Sequence, residues 1–466
     1  MAQIDLSESM TRAEKRAASG LAAIFGLRML GMFLILPVFA LYAEDLPGGD
    51  NYTLVGLALG IYGLTQATLM IPFGMASDRI GRKKVIIFGL IVFAFGSFVA
   101  MAATDIYWTI IGRALQGAGA ISAAVTAMLA DLTREEHRTK AMALIGSTIG
   151  IAFAVSLAAG PALNRLIGVP GIFAMTGILA LAAIWVVKVW VPDPADTHFH
   201  ADAQANPAKL ADVLKNDQLA RLDFGIFALH AAQMAMFVVV PVALVNSGLA
   251  ADDHWAVYLP VLLGSFVLMV PGIIYGEKRG QMKPIFIGSV ALMLLAQLGL
   301  AFGINHFWGI VGALFFYFVA FNLLEASLPS LISKLAPASA KGTAMGVYNT
   351  AQALGLFFGG VFGGWLAQHY GFAAVFIFCV VLMAIWLLAS LSMTTPPAIK
   401  TRLFRVGVMP ADEAALLKMQ LAEVAGVVEA VVVAEEGVAM LKVSLKGWDE
   451  AAARTLLDAA LPPRQA

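Results

Sequence analysis

The sequence has few of the groups on which soluble enzymes depend. Only 13% of its 466 residues are charged, and Cys379 is its single cysteine, so an intramolecular disulfide is excluded. No G-x-x-x-x-G-K-[ST] motif occurs, which argues against ATP as the energy source. Residues 398–466 contain neither cysteine nor histidine, which excludes thiolate metal-carrier chemistry there. We therefore expect no enzymatic activity, no cofactor and no metal site.

What the sequence has instead is apolar surface. Apolar residues make up 60% of the chain and the mean hydropathy is +0.84, too apolar for a soluble protein of this size. Apolar runs of about 20 residues recur from Leu21 to Leu391, and in lipid such runs must be helical. The predicted fold class is an all-α membrane bundle of 12 transmembrane helices. They are placed at 17–43, 52–77, 84–103, 106–132, 139–164, 168–191, 221–246, 254–276, 283–303, 307–333, 342–367 and 371–393.

The connections between these helices alternate in charge. One set is basic and includes Arg12, Lys15, Arg16, Arg79, Arg82, Lys83, Lys84, Arg134, Arg138, Lys140, Lys334 and Lys341. The other set is acidic and includes Glu44, Asp45, Asp50, Asp105, Asp252 and Asp253. Because basic loops stay inside, we predict a multi-pass protein of the cell (inner) membrane with both termini cytoplasmic. The basic loops lie against the bilayer, which favours contact with membrane lipids and argues against nucleic acid.

The membrane part contains an internal repeat. "GMFLILPV" (residues 31–38) is similar to "AMFVVVPV" (235–242), and "TKAMALIG" (139–146) to "AKGTAMGV" (340–347). Both offsets are roughly 200 residues, which indicates two six-helix halves in the same orientation with a substrate site between them. The predicted domains are an N-terminal half (1–191), a cytoplasmic linker (192–220), a C-terminal half (221–395) and a soluble tail (398–466).

The tail has the pattern of a small α/β domain. Strand-like and helix-like segments follow one another as β-α-β-β-α, which predicts a ferredoxin-like cytoplasmic domain whose last strand is missing or a stub after Leu461. Such a domain is suited to binding a small effector or to self-association through an open sheet edge. A passive stabilising role is the alternative.

A dense charged segment, "GMASDRIGRKKVI" (Gly74–Ile86), follows the second predicted helix. Its single acid, Asp78, has two natural partners: a neighbouring base, or the positive N-terminus of the helix that begins near Lys341. If these contacts exist only when the cytoplasmic side is closed, they bias the conformational equilibrium. A loop that only sets topology is the alternative. The expected lock residues are Gly74, Asp78, Arg79, Gly81, Arg82, Lys83 and Asp131.

These motifs resemble those of the major facilitator superfamily. The segment G-x-x-x-D-R-x-G-R-K-K is similar to its signature loop, "RALQGAG" (113–119) to its R-x-x-Q-G-x-G pattern, and "GIAFAVSLAAGP" (150–161) to its antiporter motif, with Gly160 and Pro161 as packing or hinge residues. The resemblance covers residues 10–395. It implies a proton-driven drug-efflux carrier with a ferredoxin-like appendage.

The resemblance also implies residue roles. It implies that Asp78, Arg82 and Asp131 form an interdomain lock that favours the outward-open state. Multidrug antiporters of this superfamily often carry an acid in the first helix, where this chain has Arg28.

Charged and polar residues within the predicted helices indicate a cavity, because a charge in the bilayer is costly. The expected coupling or substrate residues are Arg28, Tyr62, Gln66, Arg113, His230, Asn322 and Glu325. One hypothesis makes Glu325 the proton carrier, with Arg28 or Arg113 adjusting its proton affinity. The alternative makes Glu325 a fixed ion-pair partner that holds the halves together.

Together these features predict a secondary active transporter that exports small organic solutes in exchange for protons by alternating access. Two other functions stay open: an uncoupled or proton-symport carrier of a sugar or metabolite, and a membrane sensor that signals through its C-terminal domain. The expected partners are a small-molecule substrate, H+ and membrane lipids.

Overall fold

The computed structural model describes residues 10–193, 207–279, 281–337, 340–394, 399–434, 437–444 and 447–460. Most of the predicted linker (194–206) and the predicted strand after Leu461 lie outside the described residues. The α-helices are α1 Arg12–Phe33, α2 Phe39–Glu44, α3 Tyr52–Ile80, α4 Arg82–Met101, α5 Ile106–Ala118, α6 Ser122–Leu132, α7 Glu135–Val189, α8 Leu210–Leu214, α9 Asp217–Asn246, α10 Trp255–Arg279, α11 Met282–Gly303, α12 Phe307–Leu335, α13 Lys341–Tyr370, α14 Phe372–Leu391, α15 Ala411–Ala422 and α16 Glu450–Ala459. The strands are β1 Ile399–Arg405, β2 Val427–Val433 and β3 Val438–Ser444.

Ten helical segments of the described chain are long and apolar enough to cross a membrane. One of them, Lys140–Val189, is 50 residues long and is interrupted at Gly168, whose φ of +67° is not helical. The helix α1 is not among the ten, and it carries five charged residues. The chain is therefore a helical, multi-pass membrane protein.

Several helix boundaries differ from the predicted ones. The predicted first span (17–43) is broken: α1 ends at Phe33, and Pro37, which cannot donate a backbone hydrogen bond, lies in the turns before α2. The predicted span 106–132 consists of α5 and α6, and the break begins at Gly119, the residue that caps α5. The helix α9 begins at Asp217, within the predicted linker, because the side chain of Asn216 caps its first amides.

Helix α13 packs against both α3 and α9 through glycines. A Cβ on Gly360 would collide with the carbonyl oxygen of Gly56 in α3, and a Cβ on Gly359 would collide with the carbonyl of Ala231 in α9. These contacts bring helix backbones together without intervening side chains, as is common between helices in bilayers.

The helices α3 and α13 are close at one end and apart at the other. At the close end, the amide of Tyr52 donates to the Gln368 side chain over 2.7 Å, and the rings of Tyr52 and Phe372 meet edge to face. We call this end the closed face. At the other end, Asp78 of α3 and Lys341 of α13 both line a large cavity, and we call this end the open face.

The C-terminal domain is a three-stranded antiparallel sheet of order β1-β3-β2 with α15 and α16. Leu417, Leu441 and Leu457 belong to its small core. Lys442, on the central strand, forms an ion pair with Glu429 and donates a hydrogen bond to the Ala336 carbonyl at the end of α12. The domain therefore lies at the open face.

We predict that Gly360→Leu destabilises the protein by about 1–3 kcal/mol, because the new side chain overpacks the α3–α13 contact. Thermal unfolding of the purified protein in detergent measures the effect. Gly312→Leu is the matched control, since a Cβ at Gly312 would meet nothing within 4 Å. Equal destabilisation by the two leucines would show that the α3–α13 contact is not a tight one.

Candidate functional site

The central cavity has a volume of about 3020 Å³ and reaches the open face. This volume exceeds that of an ordinary drug-sized site, which is roughly 300–1,000 Å³. Methionines, whose flexible side chains adapt to different ligand shapes, and phenylalanines form much of its wall. They are Phe25, Met29, Met32, Phe33, Met70, Met75, Met142, Phe153, Phe266, Met269, Phe321, Met345 and Phe404.

Four of the predicted cavity residues, Gln66, His230, Asn322 and Glu325, line this cavity. Asn322 donates to the Ser265 hydroxyl over 2.8 Å, which fixes its side chain against α10. Three of these four residues, His230, Asn322 and Glu325, come from α9 and α12.

His230 joins three helices at this wall. Its Nδ1 lies 3.2 Å from the Ile226 carbonyl oxygen, which only accepts hydrogen bonds, so Nδ1 carries the proton. Its Nε2 is then the acceptor for the Gln352 amide of α13 at 2.7 Å. Glu325 of α12 has Oε2 3.9 Å from the same Nε2, and this buried oxygen has no hydrogen-bond partner among the described residues.

The other three predicted cavity residues, Arg28, Tyr62 and Arg113, do not line the cavity in this structure. They are buried behind its wall, where both guanidinium groups lie over the Tyr62 ring, at 5.6 Å for Arg28 and 5.0 Å for Arg113. Neither arginine is bonded to Glu325, because the hydrogen bonds described for both guanidinium groups go to residues of the N-terminal helices.

The acceptors of these two arginines are neutral groups. Arg28 donates to the Ser122 hydroxyl at 3.0 Å and to the Gln66 side-chain oxygen at 3.4 Å. Arg113 donates to Gln116 at 2.7 Å, and Gln116 in turn donates to Ser97 at 2.8 Å.

Arg82 is the centre of the charged segment at the open face. Its Nε lies 3.0 Å from an oxygen of Asp131, its Nη1 lies 2.8 Å from the Ser77 hydroxyl, and it pairs with Asp78. The side chain of Asp131 is fully buried, whereas that of Asp78 is 46% exposed. Gly81, with φ +102°, makes the turn between α3 and α4 that brings these groups together. Arg82 therefore ties the end of α3 to the end of α6.

The remaining predicted lock and packing residues lie around this centre. Lys83 pairs with Asp193 at 2.9 Å, and Arg79 is exposed. Gly74 packs beside Ala123, where a Cβ would lie 3.2 Å from the alanine methyl.

The antiporter-motif residues lie in α7. A Cβ on Gly160 would lie 2.8 Å from both the Leu34 carbonyl oxygen and the Pro37 ring, so the glycine lets α7 approach the turn after α1. Pro161 follows it inside the helix.

A further ionic contact, Glu14 with Arg134, was not predicted. Glu14 accepts from the Arg134 backbone amide at 2.8 Å and from its guanidinium at 3.0 Å, which joins the start of α1 to the start of α7. Burial by itself would raise the Glu14 pKa, but the hydrogen bonds from Arg134 and Thr11 lower it to about 2. The sequence signal was available: Thr11 and Glu14 form the T-x-x-E pattern of a capping box.

A multi-pass helical bundle with a central cavity that is open at one face and sealed at the other is the architecture of a secondary transporter. Comparison with known proteins agrees. The family model described as "Major Facilitator Superfamily" matches residues 21–360 and 222–418. The chain belongs to the Major Facilitator Superfamily and is a transporter rather than an enzyme, as the sequence motifs predicted.

Individual relatives support this placement. The chain is 44% identical to the inner membrane transport protein YajR of Escherichia coli (strain K12), over 94% of this chain and 96% of that protein. It is 27% identical to multidrug resistance protein 2 of Bacillus subtilis (strain 168), over 74% and 87% of the two chains. A bacterial homologue of the human lysosomal transporter Spinster, solved in an inward-facing and occupied conformation, matches in fold with a TM-score of 0.65 at 12% identity, covering 82% of this chain and 97% of that chain.

We predict that Glu14→Gln lowers stability at neutral pH by about 1–3 kcal/mol, because charged hydrogen bonds to Arg134 are lost. The folded pKa of Glu14, about 2, lies below its ordinary 4.5, so its stabilisation is present above pH 4.5 and is lost as the pH falls toward 2. The difference in melting temperature between wild type and Glu14→Gln should therefore shrink over that interval. Glu413→Gln, on an exposed helix, is the control; a gap that stays constant down to pH 2 would contradict the assignment.

Proposed function

We propose that this transporter exports small organic solutes in exchange for protons by alternating access between two six-helix halves, residues 1–191 and 221–395. The observation that carries the proposal is the large central cavity, open at one face and sealed at the other by the α3–α13 contact. The basic segment Arg79–Lys84 is at the open face, so the positive-inside rule assigns that face, and both termini, to the cytoplasm. The structure is then an inward-facing state.

Twelve spans follow from the ten apolar segments by two additions. Dividing Lys140–Val189 at Gly168 gives eleven, and α1 gives the twelfth. The charges of α1 are consistent with this count, because Arg12, Lys15 and Arg16 lie before its apolar part and Arg28 is buried among the other helices. The β-α-β-β-α order and the β1-β3-β2 sheet support a ferredoxin-like interpretation of the C-terminal domain. Effector binding or self-association by this domain stays a prediction.

The proton site of this proposal is Glu325 with His230. Neutral His230 presents the lone pair of Nε2 to the cavity wall, and Gln352 now occupies it. A protonated Glu325 is a hydrogen-bond donor and competes with Gln352 for Nε2, whereas an ionised Glu325 does not. Loading and releasing the proton thereby changes which helix, α12 or α13, is bonded to α9. The similarity to the B. subtilis protein named multidrug resistance protein 2 is consistent with an export role for this chain.

We predict that Glu325→Gln abolishes proton coupling. A compound that stabilises the purified protein in a thermal-shift screen is loaded into proteoliposomes, and its flux is measured with and without a pH gradient. Wild type should respond to the gradient, and Glu325→Gln should retain only gradient-independent exchange, because a neutral amide cannot carry the proton. Glu423→Gln, at the exposed residue that follows α15, is the matched control. An unchanged gradient response in Glu325→Gln would rule out Glu325 as the carrier and favour an uncoupled carrier or another acid.

The conformational lock is the second part of the proposal. Arg82 binds Asp131 and Ser77 inside one half, and we expect these buried contacts to persist whichever face is open. The exposed oxygen of Asp78 is the group left to meet the N-terminus of α13 when the open face closes. That contact favours the outward-open state.

We therefore predict that Asp78→Asn shifts the protein toward the inward-facing state. Cysteines replacing Met75 and Met345, which line the cavity from α3 and α13, should cross-link when the open face closes. In a Cys379→Ser background the yield should fall about five- to thirtyfold in Asp78→Asn, as expected for a lost contact of about 1–2 kcal/mol. Asp45→Asn, at the other face, is the control. Equal yields in Asp78→Asn and Asp45→Asn would contradict the lock.

A further inference from the structure

Two buried guanidinium groups lie behind one wall of the cavity. Arg28 is 2% exposed and Arg113 is 0% exposed, and the Tyr62 ring between them is 1% exposed. Among the described residues, no carboxylate is bonded to either guanidinium. Arg28 Nε, Arg113 Nη2 and the Tyr62 hydroxyl are buried and have no described hydrogen-bond partner. This region therefore holds positive charge that neutral groups compensate only in part.

Uncompensated charge of this kind is costly in a bilayer. A guanidinium removed from water loses several kcal/mol of hydration, and neutral acceptors return less than an anion does. The acid that lines the cavity at depth, Glu325, has its described contact with His230 and not with these arginines. An anionic ligand is able to supply the missing negative charge.

Two residues connect Arg28 to the cavity. Ser122 and Gln66 both line the cavity, and both accept from Arg28 through an oxygen. Each has a donor left over: the Ser122 hydroxyl hydrogen and the Gln66 amide NH2, for which no acceptor is described. Because a hydrogen bond accepted from a cation polarises the acceptor, these two donors are strengthened. Two neighbouring donors backed by a positive charge are suited to the two oxygens of a carboxylate.

We propose that Gln66 and Ser122, with Arg28 behind them, bind the anionic group of the transported solute, which makes the substrates amphipathic organic anions. The apolar part of such a solute lies against the methionines and phenylalanines of the same wall, among which Phe25 and Met29 are near Arg28 along the chain and Met70 is near Gln66. Arg113 adds positive potential from behind Tyr62 without contacting the solute. This inference rests on the proposed function only in taking the central cavity as the transport cavity.

Three ligands with one apolar frame test the proposal: 2-naphthoate, neutral 2-naphthamide and 2-naphthylmethylammonium. Their binding to the full chain in detergent is measured by calorimetry and by thermal shift. We expect 2-naphthoate to bind about tenfold or more tightly than the amide, and the ammonium to bind weakest. Equal affinity for the acid and the amide, tighter binding of the ammonium, or no stabilisation by 2-naphthoate at millimolar concentration overturns the proposal.

Substitutions at Gln66 and Ser122 test whether these residues bind the carboxylate of 2-naphthoate. Gln66→Glu places a carboxylate where Arg28 already donates, so it should raise the melting temperature and weaken 2-naphthoate about tenfold while sparing the amide. Asn349→Asp is the matched control, because it adds the same charge to the cavity wall from α13, and it should neither raise the melting temperature nor remove the preference for the acid. Ser122→Ala, a small change that preserves packing, should weaken 2-naphthoate several-fold. Survival of the full acid preference in both Gln66→Glu and Ser122→Ala overturns the assignment.

These measurements are equilibrium binding and need neither a pH gradient nor a change of state. If Glu325→Gln loses coupling but binds 2-naphthoate as wild type does, both proposals stand. If coupling survives in Glu325→Gln, the assignment of Glu325 as the proton carrier is wrong. The binding of the three naphthyl ligands still tests the anion site. The two proposals therefore fail separately.

Discussion

The backbone contact between α3 and α13 is the constraint on which the rest of this structure depends. Where Gly56 faces Gly360, no side chains separate the helices, so the backbones of α3 and α13 meet along a seam near the closed face. Tyr52 and Gln368 seal the end of that seam. Because the contact occupies only one end of each helix, the other ends separate and the space between them is the cavity. In the mechanism that we propose, a pivot at this seam changes which face is open without unfolding either half.

The Arg82 cluster holds the ends of α3 and α6 together at the open face, opposite the α3–α13 seam. Asp131 is fully buried and Arg82 nearly so, which makes their ion pair costly to break. Glu14 and Arg134 add a second ionic tie at the same face, from α1 to α7. The ends of the N-terminal helices are therefore tied to one another at this face. The exposed carboxylate of Asp78 lines the cavity, together with Arg82 and Arg134.

Sequence reasoning predicted the features that hydropathy, motifs and charge determine. It missed features that depend on which side of a helix faces the cavity. The family, the apolar helices and the Arg82–Asp131 pairing follow from hydropathy, motif and charge, and each agrees with the structure or the relatives. The break of the first helix before Pro37 was not predicted, because the apolar run continues through it. The burial of Arg28 behind the cavity wall also escaped prediction, since hydropathy does not reveal which side of a helix faces the cavity.

The proton site and the anion site that we propose lie on different helices, and α13 is the element that relates them. Gln352 of α13 is bonded to His230 beside Glu325, while Gly360 of the same helix rests on α3, which carries Gln66. A proton on Glu325 and a solute at Gln66 therefore need not touch to influence each other. In the mechanism that we propose, the proton changes the bond that Gln352 makes from α13, the solute binds to α3, and the halves turn about the contact between these two helices. Coupling in such an arrangement acts through the position of α13.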